Sequence, residues 1–419
     1  MAKFLATFAL LLIGVVVCLA KHGRKRPRVY RGLGDLPEIN MDVPQIIKYY
    51  GYPVENHDIE TDDGYILRVQ RIPHGVTNIT QKKQSVFLQH GLVDSSSTWV
   101  MNPPHQSLAF ILADAGFDVW LGNSRGNKYS NKHRKYTTND PEFWDFSFDE
   151  MAHFDLPACI HYVKNKTKGA DLTYIGHSQG TMIGFIEFGR NPAIGELVKN
   201  FIALAPVATV GHIKGAFHYL SYFQAEVEWF FKIFGIKQFN MPSWLQTVLA
   251  DVFCATQVTE KFCGDIIFLM CGFNTKNLNE TRIPVYVSHT PAGTSVKDVV
   301  HFAQMVKSGK FQMFDYGDAG NMQHYNQKTA PLYHVEAVKT PVSLFTADND
   351  WLADPYDVNM NLRPKLSTIA FQKNLHDWNH LDFVWGEDAA TRIYPDVINI
   401  INGKIPRDQQ PEVRMMMKN

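Results

Sequence analysis

Five residues near the middle of the chain, G-H-S-Q-G at 176–180, have the types and spacing of a nucleophilic serine site. The apolar run at 172–175 before them predicts a buried strand, and the run at 181–188 after them predicts a helix. In such a strand–turn–helix the serine is held on a tight turn, and the flanking glycines let neighbouring backbone approach. The first N–H groups of the helix can stabilise an oxyanion. The pattern therefore predicts that Ser178 is a catalytic nucleophile.

A serine nucleophile needs a histidine base and a carboxylate that orients the base. Around a G-x-S-x-G turn the chain order is serine, acid, histidine, so both partners are expected after residue 180. His380 lies between the last predicted strand and the final helix, where the base belongs, and His376 is the alternative. The acid should follow the strand predicted at 341–347, where three candidates occur: Asp348, Asp350 and Asp354. Position alone favours Asp350 without excluding the other two.

The same chemistry needs two backbone donors for the oxyanion. One donor is expected to be the N–H of Gln179, the residue after the nucleophile. The other should come from the loop after an early strand, and the strand predicted at 85–89 is followed by H-G-L-V at 90–93. Leu92 N–H is the candidate in this loop, and His90 is interpreted as a residue that holds the loop by a side-chain hydrogen bond. No metal or cofactor is required, and no His/Cys spacing typical of a metal site is present.

The elements that must position these residues follow an alternating pattern. A hairpin is predicted over 58–72, turning at 62–64, and strands alternate with helical runs on both sides of a long interruption. From 207 to 332 the pattern is helical and rich in aromatic residues. The strands after this interruption are too few to form a sheet of their own, which argues against two consecutive domains. The pattern predicts an α/β fold: a mostly parallel, doubly wound sheet (44–206 and 333–402) with an inserted helical cap (207–332).

The ends of the chain predict its location, and its charge balance limits the partners that it can bind. Lys3 followed by the apolar run 4–19 predicts a signal peptide at 1–20, and the run is shorter than the roughly 20 residues of a membrane anchor. Residues 21–43 form a basic N-terminal segment, interpreted as a solvated tail with a processed pro-segment as the alternative, and 403–419 form a C-terminal tail. Lys+Arg and Asp+Glu number 41 each, and this balance argues against a nucleic-acid partner.

A secreted chain can carry glycans and disulfides. Candidate N-glycosylation sites are Asn78, Asn165 and Asn279. Four cysteines follow the signal peptide, and three of them lie close together: Cys254, Cys263 and Cys271. A local disulfide is expected among these three.

Taken together, five segments resemble those of the acid lipase family, the gastric and lysosomal acid lipases and their insect relatives. They are L-Q-H-G-L (88–92), W-L-G-N-S-R-G (120–126), G-H-S-Q-G (176–180), N-D-W-L-A-D-P (349–355) and N-H-L-D-F (379–383). The similarity extends over about 44–402. One departure is Ala347, where relatives usually have glycine before the acid.

The resemblance implies an α/β-hydrolase fold and a triad of Ser178, Asp350 and His380, with Leu92 and Gln179 as oxyanion donors. It also implies a Cys254–Cys263 bridge, an unpaired Cys271 and a mobile lid at about 242–271. The expected function is that of a secreted or lysosomal lipase that cleaves triacylglycerol or sterol esters at a lipid interface. Two alternatives use the same scaffold: an esterase for small soluble esters and a non-catalytic lipid carrier. The carrier is disfavoured because all three triad residues are present.

Overall fold

The computed structural model of the protein describes residues 36–77, 84–215, 218, 238–239, 271–272, 274 and 276–404. The fold below is that of the unit that begins at Pro37. The predicted signal peptide, most of the predicted lid and the tail from residue 405 lie outside the described residues.

The described strands form one large sheet and one short ladder. They are β1 Glu55–Glu60, β2 Tyr65–Ile72, β3 Ser85–Gln89, β4 Asp118–Leu121, β5 Lys132–His133, β6 Leu172–His177, β7 Asn200–Leu204, β8 Gln238–Phe239, β9 Thr294–Ser295, β10 Val342–Ala347 and β11 Ile369–Leu375. The large sheet has the order β1-β2-β4-β3-β6-β7-β10-β11, with β5 also pairing with β2. The six neighbouring strands β4, β3, β6, β7, β10 and β11 pair in parallel, and β1, β2 and β5 add antiparallel pairs at one side. The prediction of a mostly parallel α/β sheet is confirmed.

Helices cover this sheet and bury its central strands. They are α1 Val43–Tyr49, α2 Leu108–Asp114, α3 Phe148–Glu150, α4 Leu156–Lys166, α5 Gln179–Arg190, α6 Pro192–Glu196, α7 Ile283–His289, α8 Val296–Ser308, α9 Gly317–Tyr325, α10 Asp382–Trp385, α11 Ala389–Arg392 and α12 Tyr394–Ile401. Every residue of β3, β4 and β6 is buried, as expected for parallel strands that are covered on both faces. Helix α5 is buried from Gln179 to Gly189, so the segment after Ser178 is fixed in the core.

Two sequence expectations can be compared with the structure in detail. The hairpin predicted over 58–72 is present, because β1 and β2 pair antiparallel with Glu60 opposite Ile66. The single helix predicted over 389–401 is instead two helices, α11 and α12, which separate at Ile393. Pro395 explains the break, since it lacks an N–H and its ring clashes with a preceding helical turn.

A long excursion of the chain separates two neighbouring parallel strands, β7 and β10. Its described parts include α7, α8, α9 and the β8–β9 ladder. Helix α8 is capped at its start by Ser295, whose side chain accepts from Asp298 N, and at its end by Gly309, whose φ is 64°. Such a left-handed residue at a helix end favours glycine. The excursion lies where the helical cap was predicted.

The folded unit also includes part of the N-terminal segment that was set apart at 21–43. Glu38 is buried, and its Oε1 accepts from Arg282 Nη1 at 2.8 Å. Because removing one member of a buried ion pair leaves the other charge uncompensated, processing of this segment beyond Glu38 would destabilise the fold.

Candidate active site

Ser178 lies on the turn between β6 and α5 in a conformation that few residues adopt. Its φ is 55° and its ψ is −121°, and its N–H donates to Leu204 O at 3.1 Å. A Cβ added at Gly180 would lie 2.4 Å from Gln89 O, and one added at Gly176 would lie 2.6 Å from the Gly180 carbonyl carbon. Both positions therefore require glycine. The serine is partly buried, whereas its four neighbours in the motif are buried.

His380 and Asp350 are brought together in the interior. His380 Nδ1 lies 2.9 Å from each carboxylate oxygen of Asp350. Asp350 Oδ1 also accepts from Leu352 N at 2.9 Å and from Ala353 N at 2.8 Å, which fixes the carboxylate. The Nδ1–H of His380 therefore donates to the acid, and Nε2 is the nitrogen left to accept a proton.

The alternative residues make other pairs. His376 pairs with Asp348, but its side chain is 84% exposed and that of Asp348 is 48% exposed. Asp354 accepts from Lys214 Nζ at 2.9 Å and from Tyr356 N at 2.8 Å. Of the three candidate acids, Asp350 is therefore the one that contacts His380.

The nucleophile turn and the histidine loop are joined by a residue that the sequence analysis did not single out. His177 Nε2–H donates to His380 O at 2.9 Å. Burial, with a smaller contribution from His380, lowers the pKa of His177 to about 3, so this ring stays neutral. The histidine loop is held on its other side as well, since His380 N donates to Cys271 O at 3.3 Å and Asn379 Nδ2 donates to Gly272 O at 2.9 Å.

The loop after β3 lies directly beside the nucleophile. A Cβ added at Gly91 would lie 3.0 Å from Ser178 Cβ and 3.4 Å from its Oγ, so only glycine fits there without a shift. The loop turns at Val93, whose φ of 53° is rare for a β-branched residue. Within the described residues, the N–H groups of Leu92 and Gln179 have no hydrogen-bond acceptor.

His90 fixes this loop, as its sequence position suggested. Its Nδ1–H donates to Gly91 O at 2.8 Å, and its Nε2 accepts from Ser124 N at 3.0 Å. Burial lowers the pKa of His90 to about 4, so the ring is neutral and can make both bonds.

The remaining predicted site residues are scattered or undescribed. Asn165 is exposed at the end of α4, Asn279 is half-buried, and Asn78 lies outside the described residues. Cys254 and Cys263 also lie outside them, and Cys271 is a free, buried thiol, as is Cys159.

Among the residues that the structure describes, no His, Cys, Asp and Glu side chains cluster in a way that could hold a metal ion. In the same part of the chain, no helix has the length and apolar character to cross a membrane.

Two family models match the chain. The model described as "alpha/beta hydrolase fold" matches residues 84–387, and the "Partial alpha/beta-hydrolase lipase region" matches 43–103. Gastric triacylglycerol lipase of Rattus norvegicus is 48% identical over 369 residues, which cover 87% of this chain and 92% of the relative. Lysosomal acid lipase/cholesteryl ester hydrolase of Homo sapiens is 46% identical over 368 residues, with the same two coverages, 87% and 92%. Among solved structures, lip1 of Acinetobacter baumannii has a TM-score of 0.50 at 13% identity, over 91% of this chain and 99% of its own, and shares the fold.

Proposed function

This chain belongs to the gastric and lysosomal acid lipase family of the α/β-hydrolase fold, and from that premise we propose that it hydrolyses lipid esters with Ser178 as nucleophile. The acid is Asp350, the base is His380, and the oxyanion donors are the N–H groups of Leu92 and Gln179. The observation that carries the proposal is the buried Asp350–His380 pair, which is linked through His177 to the strained serine turn.

The reaction is a two-step acyl transfer. His380 Nε2 takes the proton of Ser178 Oγ as the oxygen attacks the ester carbonyl. The two N–H groups hold the oxyanion, and Asp350 stabilises the imidazolium and fixes its orientation. The alcohol leaves with the proton from His380. Water, activated by the same ring, then attacks the acyl-enzyme and releases the fatty acid.

Triacylglycerol and sterol esters are the proposed substrates, since these are the substrates in the names of the relatives above. A secretory route, ending outside the cell or in the lysosome, fits the same relatives and the predicted signal peptide. The reaction takes place at a lipid interface, with residues 242–271 as the lid. The described end of that segment supports this position, because Cys271 and the adjacent Gly272 contact the loop that carries His380.

A substrate panel tests the proposal. The full chain is assayed on emulsified triacylglycerol, emulsified cholesteryl ester and a dissolved short-chain ester, at acid and at neutral pH, with Ser178→Ala as the matched control. We expect release of fatty acid from at least one emulsified lipid, and none from the variant. Turnover of the dissolved ester alone would favour the small-ester esterase, and binding of lipid without turnover of any ester would favour the carrier.

A further inference from the structure

The side chain of Gln179 reaches from the nucleophile turn to the cap excursion. Gln179 is the first residue of α5, directly after Ser178, and it is buried. Its Nε2 lies 3.1 Å and 3.0 Å from the two carboxylate oxygens of Asp298, which lies in the first turn of α8. The residue that supplies one oxyanion donor is therefore tied at its far end to an element 119 positions along the chain.

Asp298 is held for this contact by its other neighbours. Its side chain is fully buried, with Phe148 N donating to Oδ1 at 3.0 Å and Thr294 Oγ1 donating to Oδ2 at 2.7 Å. No cation in the described part of the chain pairs with it, since the adjacent Lys297 pairs with Asp145 and Glu150 instead. A buried carboxylate with only neutral donors is costly, and an apolar residue would avoid that cost.

We propose that Asp298 is a positioning residue for the oxyanion hole, acting through the Gln179 side chain to fix the direction of the Gln179 backbone N–H. The inference rests on the proposed function. A donor stabilises the oxyanion only if it points to the place where the charge develops, and small errors in that direction are costly. Ser178 has a strained backbone, so the residue after it needs an anchor that keeps the turn from relaxing.

The hydrogen bond between Gln179 and Asp298 can form in both charge states of Asp298. Burial raises the pKa of this carboxyl to about 6, and nearby Glu150 adds to the rise. When ionised, Asp298 accepts from the Gln179 amide. When protonated, it can donate to the Gln179 amide oxygen after that amide turns over, because a carboxamide has both a donor and an acceptor end. This link between the Gln179 and Asp298 side chains, the tether, therefore needs a hydrogen-bonding group at position 298 rather than a charge.

Three variants test the tether: Asp298→Ala, Asp298→Asn and Gln179→Met. Asp357→Ala is the matched control, because Asp357 is also a buried carboxylate that accepts several hydrogen bonds, from Thr209 Oγ1 at 2.8 Å, from His212 N at 2.8 Å and from the His212 ring at 3.1 Å. The assay is turnover of a dissolved short-chain ester by the full chain. An organophosphonate that labels the nucleophilic serine counts competent sites, so that loss of folded protein is not mistaken for loss of rate.

We expect Asp298→Ala and Gln179→Met each to lower kcat per labelled site about tenfold with little change in KM, less than the 10²–10³-fold loss on removing a donor outright. Asp298→Asn should recover most of the rate, because a carboxamide at 298 can bond to the Gln179 amide. The double variant Gln179→Met/Asp298→Ala should be no slower than either single variant, since both break the same link.

Other outcomes would overturn the inference. These are unchanged kcat in Gln179→Met, multiplied losses in the double variant, or an equal loss in Asp357→Ala. If Asp298→Ala does not fold, Gln179→Met decides alone, because it leaves the Phe148 and Thr294 contacts of Asp298 in place. A wild-type chain with neither turnover nor labelling would overturn the proposed function as well, whereas an active wild type with unaffected variants would overturn the tether only.

Discussion

Replacing Asp350 by Asn moves the proton of His380 from Nδ1 to Nε2 while leaving the shape of the site intact. In the native site Asp350 Oδ1 accepts from Leu352 N at 2.9 Å and from Ala353 N at 2.8 Å. The carbonyl oxygen of the new amide would take over these two bonds, so its NH₂ group would take the place of Oδ2, 2.9 Å from His380 Nδ1. Two donors cannot face each other, and the histidine proton would move from Nδ1 to Nε2. The ring could then no longer accept the proton of Ser178.

The size of the effect follows from this loss of the base. A wrong tautomer in a serine triad costs about 10⁴-fold in kcat, which corresponds to about 5.5 kcal/mol in activation free energy at about 1.4 kcal/mol per tenfold. The assay is turnover of a dissolved short-chain ester, with the melting temperature measured on the same sample. We expect the melting temperature to change little, since the amide keeps two of the native bonds.

Two matched variants show whether the effect belongs to this carboxylate. Asp348→Asn alters the exposed pair with His376, and Asp354→Asn alters the contact with Lys214. Each should retain most of the activity. Turnover of Asp350→Asn within tenfold of wild type, or a larger loss in Asp354→Asn, would refute the assignment of the acid.

Three further predictions concern stability, the cap and the lid. The melting temperature should change little from neutral pH down to about pH 4 and fall steeply below it, because two sets of buried groups offset each other. Carboxyls with raised pKa take up protons first in the folded state, so they stabilise the fold as the pH falls. Histidines with lowered pKa take up protons first in the unfolded state, so they destabilise the fold as the pH falls. A steady loss of melting temperature from neutral pH downward would contradict this. The groups are Asp94, Asp149, Asp155, Asp298 and Asp382 against His90, His177, His289 and His301. Peptide mapping without reduction should find Cys254 joined to Cys263, a bridge that contributes about 2–3 kcal/mol, and a Cys263–Cys271 bridge would refute that pairing. Trp244→Ser with Leu245→Ser should reduce the rise in rate above the solubility limit of a short-chain ester and spare hydrolysis of the dissolved ester, and wild-type behaviour on emulsions would refute the lid.

Local patterns in the sequence were sufficient for much of the fold. Strand β3 was predicted at 85–89 and has those bounds, because an apolar run between turn residues is a local signal. The turn at Ser178 was equally predictable, since Gly176 and Gly180 lie two residues before and two residues after the serine. The break at Ile393 was missed because the apolar periodicity continues through it, although Pro395 was a signal that could have predicted it.

Contacts between distant residues could not be predicted in this way. Position left three acids open, and the structure pairs Asp350 with His380 because their loops follow the neighbouring strands β10 and β11. The bond from His177 to His380 O joins residues 203 positions apart, and nothing in the local sequence marks it. Asp298 looked like an ordinary acidic residue in the first turn of a helix, and only tertiary structure places it beside Gln179.

The identity of the nucleophile is tested most directly by covalent labelling. The full chain is treated with an organophosphonate lipid-ester analogue, its remaining activity on emulsified triacylglycerol is followed, and the labelled peptide is identified by mass spectrometry. We predict one adduct per chain, on Ser178, which forms in proportion to the loss of activity and does not form in Ser178→Ala. An adduct on another residue, or full activity after complete labelling of Ser178, would contradict the account.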